Sequence, residues 1–171
     1  GEPMLCANLI CELIARKKEF TNNERLRFAM TTNALLGMDE EIIDFFISNN
    51  VIFNLSIDGP EEIHNKYRIA KNGCNSFAAV MKNVEKLKNK GYPFAAVAVL
   101  DERIVDNNFS LSGLCNYLRS ITPNYKIDPA YFIKRENSTV SGDAQDELLA
   151  QLRNLIDDIF KNIRTLSIDK F

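Results

Sequence analysis

The sequence predicts an α/β fold built on a parallel sheet, and three observations carry that prediction. Short apolar runs of strand length alternate with segments whose apolar residues recur every three or four positions, as they do in helices. Two of those runs, residues 26–33 and 51–57, end in a polar turn. The length of 171 residues is enough for one domain with a sizeable core. Strands that alternate with helices in this way favour a parallel sheet.

Four strands are predicted, each followed by a helix, with one further helix in front. The leading helix, residues 4–19, carries Leu5, Leu9 and Leu13 at helical spacing. The strands are expected at residues 26–33, 51–57, 93–100 and 125–133. The helices behind them are expected from Asp39, from Ser76 to Gly91 after a short helix, at 109–121, and from about 143 to 163. Asp39 and Ser76 stand at N-cap positions, and Gly91 is typical of a helix C-terminus.

Composition and charge exclude several classes of protein. The 21 basic and 23 acidic side chains give a net charge of -2 without a basic stripe, so nucleic acid is not an expected partner. No apolar run approaches the roughly 20 residues that cross a bilayer, and no charged segment followed by an apolar one marks a secretion signal. We therefore expect a cytoplasmic protein with no membrane partner. Four scattered cysteines do not suggest a disulfide framework.

The second predicted strand has one polar face. Asn54, Ser56 and Asp58 alternate with apolar residues and therefore point to the same side. A strand covered on both faces is nearly all apolar, so this polar face indicates a bound polar ligand. The alternative is that Asn54 and Ser56 satisfy each other or bind water. At the exit of the first strand, Asn33 either donates to a ligand or forms an Asx-turn, and the sequence leaves both open.

Taken in order, these motifs resemble a known enzyme core. The residues that carry the resemblance are Gly1-Glu2-Pro3, Met30 to Leu36, Leu55 to Pro60, His64, Arg68, Ser76-Phe77, Val80, Asn83, Leu87 and Gly91. Their order is similar to the core of radical S-adenosylmethionine (radical SAM) enzymes, in the SPASM-type branch of peptide and sulfatase maturases. The resemblance implies a partial (β/α)6 TIM-like barrel fragment. Residues 1–171 would form a single domain, from the exit of the second strand to the sixth helix.

The resemblance also implies a site for SAM. The contact residues that it implies are Gly1, Glu2, Pro3, Asn33, Ser56, Arg68 and Val97. Backbone groups near Gly1 and the carboxylate of Glu2 would contact the methionyl ammonium. Ser56 would hydrogen-bond the ribose hydroxyls, and Arg68 would face the methionyl carboxylate, which suits its planar guanidinium. Val97 would pack against adenine, although core packing alone also accounts for a valine there.

Three positions bear on the assignment of the site: two depart from the family pattern, and the third is a single histidine. Ala34 stands where the family has glycine, and Asn65 stands where it usually has aspartate. His64 is the only histidine of the chain. A lone histidine after a turn is interpreted as a capping or packing residue rather than a catalytic one. No catalytic residue is assigned from the sequence.

The cofactors that the resemblance implies are SAM and a [4Fe-4S] cluster held by a Cys-x3-Cys-x2-Cys loop. The four cysteines, Cys6, Cys11, Cys74 and Cys115, do not have that spacing, and Cys6 and Cys11 are interpreted as packing residues. We therefore assign both cofactors and the activity to a longer parent protein, and none to this chain on its own. The parent would modify a ribosomal peptide or a protein side chain.

The sequence also leaves an alternative function open and predicts a contact between copies of the chain. The alternative function is that of a non-radical βα module that binds a nucleotide-like or peptide ligand, since fold does not decide function. If the earlier strands of the barrel are missing, strand 26–33 is an open edge. An unpaired edge is a template for another chain, so we expect possible self-association through it.

We predict that the chain on its own binds no iron and does not cleave SAM, because no three of its cysteines lie at cluster-ligand spacing. The measurement is anaerobic reconstitution with iron and sulfide, followed by absorption spectroscopy. A stable iron–sulfur absorbance that disappears when any one of the cysteines is replaced would overturn this prediction.

Overall fold

A four-stranded parallel sheet organises the chain. The computed structural model describes residues 2–21, 26–36, 38–66, 68–101, 109–129, 143 and 146–157. The strands are β1 (Ala29–Thr32), β2 (Ile52–Ser56), β3 (Phe94–Leu100) and β4 (Tyr125–Pro129). They lie in sequence order, β1-β2-β3-β4, and all three neighbouring pairs are parallel. The predicted α/β class with about four parallel strands is confirmed.

Helices precede β1, lie between successive strands and follow β4. They are a 3-10 turn at Pro3–Cys6, α1 (Ala7–Ala15), α2 (Lys17–Phe20), α3 (Glu40–Ser48), α4 (Glu61–His64), α5 (Phe77–Asn89), α6 (Leu111–Ile121) and α7, described at 143 and 146–157. Within the described ranges, none of them combines the length and apolarity that crossing a bilayer requires. The strand ends predicted at 130–133 and the helix end at 158–163 lie outside the described residues.

The leading helix departs from its predicted continuous form. It begins as a 3-10 turn, because the Glu2 side chain accepts the Met4 N–H at 3.0 Å and Pro3 occupies the first turn. It is interrupted at Arg16, whose backbone angles of φ -87° and ψ 9° leave the helical range. The first strand is also shorter than predicted. It ends at Thr32 because the chain turns at Asn33 and Ala34.

One face of the sheet is covered by helices. Buried residues alternate with partly exposed ones along β2 and β3, as the sequence predicts for β2. Phe53 is fully buried and meets Phe46 of α3 edge to face, with 5.8 Å between the ring centroids. Helices α5 and α6 supply further buried residues, among them Val84, Leu87 and Leu114. This covered face is the hydrophobic core of the described chain.

The opposite face carries small and polar side chains. The register places Thr31 beside Asn54 and Ser56 beside Val97, and all four are at least partly exposed. Among the described residues, the helices cover only one side of these parallel strands, which is the arrangement of a barrel wall. The face with Asn54 and Ser56 is the inner face of that wall, and we call it the open face.

Helix α1 is covered on one side only. Ala7 and Ile14 belong to the buried core, and α1 contacts α3. Leu5, Leu9 and Leu13, which the sequence placed on one helical stripe, remain 62%, 65% and 51% exposed. Within the described residues, β1 pairs with β2 and has no second neighbouring strand. The apolar stripe is therefore accessible in this structure, whereas β1 is in contact with the 3-10 turn.

Candidate functional site

Glu2 fixes the carboxyl end of β1. Its Oε1 accepts the Thr32 hydroxyl at 2.6 Å as well as the Met4 N–H, and its Oε2 accepts the Asn33 N–H at 2.8 Å. Thr32 is buried, so this hydrogen bond joins the 3-10 turn to the sheet away from solvent. A carboxylate offers about four acceptor positions, and three are occupied. Glu2 thus keeps capacity for one further donor.

The turn after β1 combines an Asx-turn with a left-handed residue. Asn33 Oδ1 accepts the Leu35 N–H at 3.0 Å, which is the Asx-turn alternative that the sequence left open. Ala34 has φ +55°, a conformation that costs a residue with a Cβ about 1 kcal/mol. Asn83 of α5 supports it by donating to the Ala34 carbonyl at 2.7 Å. The glycine-like backbone therefore persists here with alanine in place of glycine.

Asp58 joins three segments at the carboxyl end of β2. Its Oδ2 accepts Arg68 Nε–H at 2.6 Å, and its Oδ1 accepts both Arg68 Nη2–H and the Val99 backbone N–H at 3.0 Å. The last backbone bond between β2 and β3 runs from Ile57 N–H to Val97 O, so the carboxylate adds one further link beyond it. Gly59 has φ +140°, which favours glycine and turns the main chain away from the sheet.

His64 belongs to a buried chain of hydrogen bonds. Its Nδ1 accepts the Asp58 N–H at 3.3 Å, so the neutral ring carries its proton on Nε2, which lies 3.1 Å from Ser76 Oγ. Ser76 Oγ donates in turn to the Arg68 carbonyl. The ring is fully buried and meets Phe77 edge to face at 5.6 Å. The interpretation of His64 as a packing residue is confirmed.

Asn65 caps α5 from outside the helix. Ser76 occupies the predicted N-cap position, but its hydroxyl bonds to Arg68 instead of to the helix. Asn65 Oδ1 accepts the backbone N–H groups of Ser76 and Phe77 at 3.1 and 3.0 Å. Sequence reasoning missed this role, because the acceptor comes from a residue eleven positions before the helix start.

A pocket of about 170 Å³ lies beside these networks. Its lining residues are Asn33, Leu35, His64, Arg68, Ile69 and Ser76. Two of the sequence-predicted contact residues, Asn33 and Arg68, thus share one pocket at the carboxyl ends of β1 and β2. Parallel strands bring their carboxyl ends to one edge of a sheet, which is where βα folds place ligands.

Ser56 and Val97 are neighbours on the open face and do not line that pocket. Both are half-buried, and the Ser56 hydroxyl makes no hydrogen bond within the described part of the chain. Asn54 donates to Thr31 Oγ1 at 3.4 Å, a long contact across the two strands. The alternative in which Asn54 and Ser56 satisfy each other is therefore not the one found.

Two of the predicted contact residues lie at the start of the chain. Pro3 is half-buried and begins the 3-10 turn that Glu2 caps. Gly1 lies outside the described residues. The sequence signal for Glu2 was the Gly-Glu-Pro motif. The roles of Asp58 and Asn83 were missed, although Asp58 belongs to the predicted polar face of strand 51–57.

The cysteines lie apart from one another. Cys11 packs against the core, and burial raises the pKa of its thiol, whereas Cys6 is exposed, so the prediction that Cys6 is a packing residue was wrong. Cys74 is exposed in a loop, and Cys115 is buried in α6. Among the described residues, no group of three histidine, cysteine, aspartate or glutamate side chains is placed to hold a metal ion.

The fold and the site define a parallel βα sheet with a crevice at its carboxyl edge that polar side chains line. Residues 1–107 match the family model described as the radical SAM superfamily. The chain belongs to the radical SAM superfamily.

Two relatives of known name are similar to part of the chain. The chain is 35% identical over 86 residues to a serine-type anaerobic sulfatase-maturating enzyme of Bacteroides thetaiotaomicron, covering 50% of this chain and 20% of that protein. It is 31% identical over 104 residues to a cysteine-type anaerobic sulfatase-maturating enzyme of Clostridium novyi, covering 60% and 28%. The chain thus spans less than a third of the length of these two relatives.

Solved structures share the fold. Native anSMEcpe with bound AdoMet and Kp18Cys peptide superposes with a TM-score of 0.75 at 22% identity, covering 95% of this chain and 46% of that one. A domain of a pyruvate-formate lyase-activating enzyme from Bacteroides vulgatus gives 0.51 at 16% identity, covering 90% and 89%. At these identities the likeness establishes the fold alone.

We predict that Asn65→Ala destabilises the chain by about 1 kcal/mol, because two N–H groups at the start of α5 lose their acceptor. Asn65→Asp keeps the acceptor and adds a negative charge near a helix N-terminus, so it should be neutral or slightly stabilising. Urea unfolding followed by circular dichroism measures both changes. Equal destabilisation by the alanine and aspartate variants would contradict the capping role.

Proposed function

We propose that this chain forms the SAM-binding part of a radical SAM enzyme that modifies a ribosomal peptide or a protein side chain. The observation that carries the proposal is the clustering of ligand-type groups at one edge of the sheet. Asn33 and Arg68 line one pocket, and the half-buried Ser56 hydroxyl lies on the open face of the adjacent strand. Family membership supports SAM as the ligand.

The chemistry of these groups suits SAM. Its methionyl end is a zwitterion, and the Arg68 guanidinium is a planar donor for the carboxylate. Glu2 retains one acceptor position for the ammonium beside the Asn33 turn. Ser56 would hydrogen-bond the ribose, and Val97, its neighbour in register, offers an apolar surface for adenine. Gly1 and Pro3 would contribute backbone contacts near the ammonium.

The described residues do not fit a [4Fe-4S] cluster. The cluster of the superfamily is held by the three thiolates of a Cys-x3-Cys-x2-Cys loop, and the four cysteines of this chain lie on separate elements without that spacing. We therefore propose that the cluster is held by residues of the whole protein other than these. Together with SAM, that cluster would supply the one-electron chemistry of the superfamily.

The relatives indicate the substrate class. Two of them are named as sulfatase-maturating enzymes, and one related structure holds a peptide together with AdoMet. We propose a peptide or protein side chain as the substrate, and a cytoplasmic location. The whole of residues 1–171 would serve as one domain, from the exit of the second barrel strand to the sixth helix. Nucleic acid is not a proposed partner, since no basic stripe marks the sequence.

One alternative has an observation in its favour. The lack of a cluster ligand set among the described residues is what a non-radical βα module for a nucleotide-like or peptide ligand would show. The sequence of the gene ahead of residue 1 discriminates between them. A Cys-x3-Cys-x2-Cys loop there supports the enzyme, and a gene without one supports the module.

We predict that Ser56→Ala weakens SAM binding to the whole, anaerobically reconstituted protein by about three- to tenfold, the usual worth of one neutral hydrogen bond. Ser48→Ala is the matched control, because Ser48 is exposed near the end of α3 and bonds only to the Asp44 carbonyl. Equilibrium dialysis with labelled SAM measures both. Equal affinity in the Ser56 and Ser48 variants would remove Ser56 from the site.

We further propose that the isolated chain self-associates through the edge of β1, which has no second neighbouring strand among the described residues, and through the exposed Leu5, Leu9 and Leu13 of the leading helical segment. Sedimentation velocity at micromolar concentration should show species larger than a monomer. Leu9→Glu should shift the distribution toward monomer, whereas Leu149→Glu, at a residue 47% exposed on α7, should not. A monomeric wild-type chain would contradict this proposal.

A further inference from the structure

We infer that Asp58 is a positioning residue, which orients the Arg68 guanidinium so that its outer edge meets the carboxylate of an amino-acid-type ligand. The inference rests on the proposed function, because SAM is the ligand whose carboxylate it concerns. It adds a residue to the site that neither the motif comparison nor the pocket lining assigns.

The geometry of the ion pair leaves one edge of the guanidinium open. Arginine carries five N–H donors in a rigid plane, and Asp58 accepts from Nε and Nη2 on the same side of it. The end formed by Nη1 and the second Nη2 hydrogen makes no hydrogen bond within the described part of the chain. Those two donors are parallel and match the spacing of a second carboxylate.

The main chain of Arg68 is hydrogen-bonded, as its side chain is. Its N–H donates to the His64 carbonyl at 3.1 Å, and its own carbonyl accepts the buried Ser76 hydroxyl. The side chain is 26% exposed and lines the pocket of about 170 Å³ with Asn33. Both ends of the arginine are therefore fixed, and the residue belongs to the wall of a cavity.

Asp58 itself has little freedom to move. Its side chain is 2% exposed, and Oδ1 also accepts the Val99 N–H of the neighbouring strand. Separating a carboxylate this deeply buried from its charge partner is costly. The guanidinium therefore stays paired with Asp58 and keeps one orientation. An arginine that is oriented before the ligand arrives spends less conformational entropy on binding.

A purely structural ion pair makes a different prediction. If Asp58 only held the β2–β3 edge together, its loss would weaken every ligand of the site to the same degree. If it positions Arg68, its loss must weaken only those ligands that carry the carboxylate. Selectivity between SAM and decarboxylated SAM separates the two roles.

The experiment compares the affinities of the whole reconstituted protein for SAM and for decarboxylated SAM by equilibrium dialysis. We expect Asp58→Asn and Arg68→Lys each to reduce the preference for SAM by about tenfold, since charge-assisted bidentate pairs exceed single hydrogen bonds in strength. The double variant should lose no more preference than Arg68→Lys alone, because Asp58 acts through Arg68. Asp44→Asn, which removes a carboxylate from the exposed pair with Lys90, should leave the preference unchanged.

The outcomes separate the inference from the proposed function. An unchanged preference in a folded Asp58→Asn protein, with a reduced one in Arg68→Lys, overturns the positioning role and leaves the SAM site intact. Binding of neither ligand by the wild-type protein overturns the proposed function and the inference together. If circular dichroism shows that Asp58→Asn does not fold, Asp58→Glu is the second variant. It keeps the charge and displaces the guanidinium by the length of one methylene. An unchanged preference for SAM in the Asp58→Glu protein also overturns the inference.

Discussion

Asp58 follows the end of β2, and three other parts of the site depend on its carboxylate and its backbone N–H. Its carboxylate accepts the Val99 N–H and so extends the contact between β2 and β3 up to the residue before the turn at Gly59. It anchors Arg68, while its own backbone N–H fixes the ring orientation of His64. Loss of the Arg68 guanidinium would leave the Asp58 carboxylate, which is 2% exposed, without its partner, and breaking a buried pair in this way typically costs about 3–5 kcal/mol. A single turn thus sets both stability and site geometry.

The two faces of the sheet explain why the site lies where it does. Apolar residues such as Phe53 and Leu55 bury one face under the helices, and among the described residues no helix covers the other face. Polar side chains are tolerated on that open face because ligand or solvent can satisfy them. At the carboxyl edge, the loops that follow β1 and β2 add charged groups. Sequential strand order then keeps these loops adjacent.

Periodicity predicted most of the fold and part of the site. The alternation in β2 placed Ser56 on the face opposite Phe53 and Leu55, because side-chain direction in a strand depends only on residue parity. Capping was predicted less well. The sequence marks Ser76 as the helix start, yet Asn65 supplies the acceptor, and such a contact depends on how the preceding loop folds back. The interruption at Arg16 had no signal in the apolar pattern.

Arg68 shows the limit of motif reasoning in physical terms. A motif predicts that an arginine lies near a ligand carboxylate, but a guanidinium has two edges that can each donate to a carboxylate. Which edge faces the ligand depends on the neighbour that occupies the other, and here that neighbour is Asp58, ten residues earlier and in the buried layer. The pairing neutralises the arginine before any ligand binds. In the proposed function, the carboxylate and ammonium of an α-amino acid group would cancel each other in the site, with the ammonium at an acceptor such as the remaining position on Glu2. This is why the proposed function assigns an α-amino acid group, and not a simple anion, to the sheet edge.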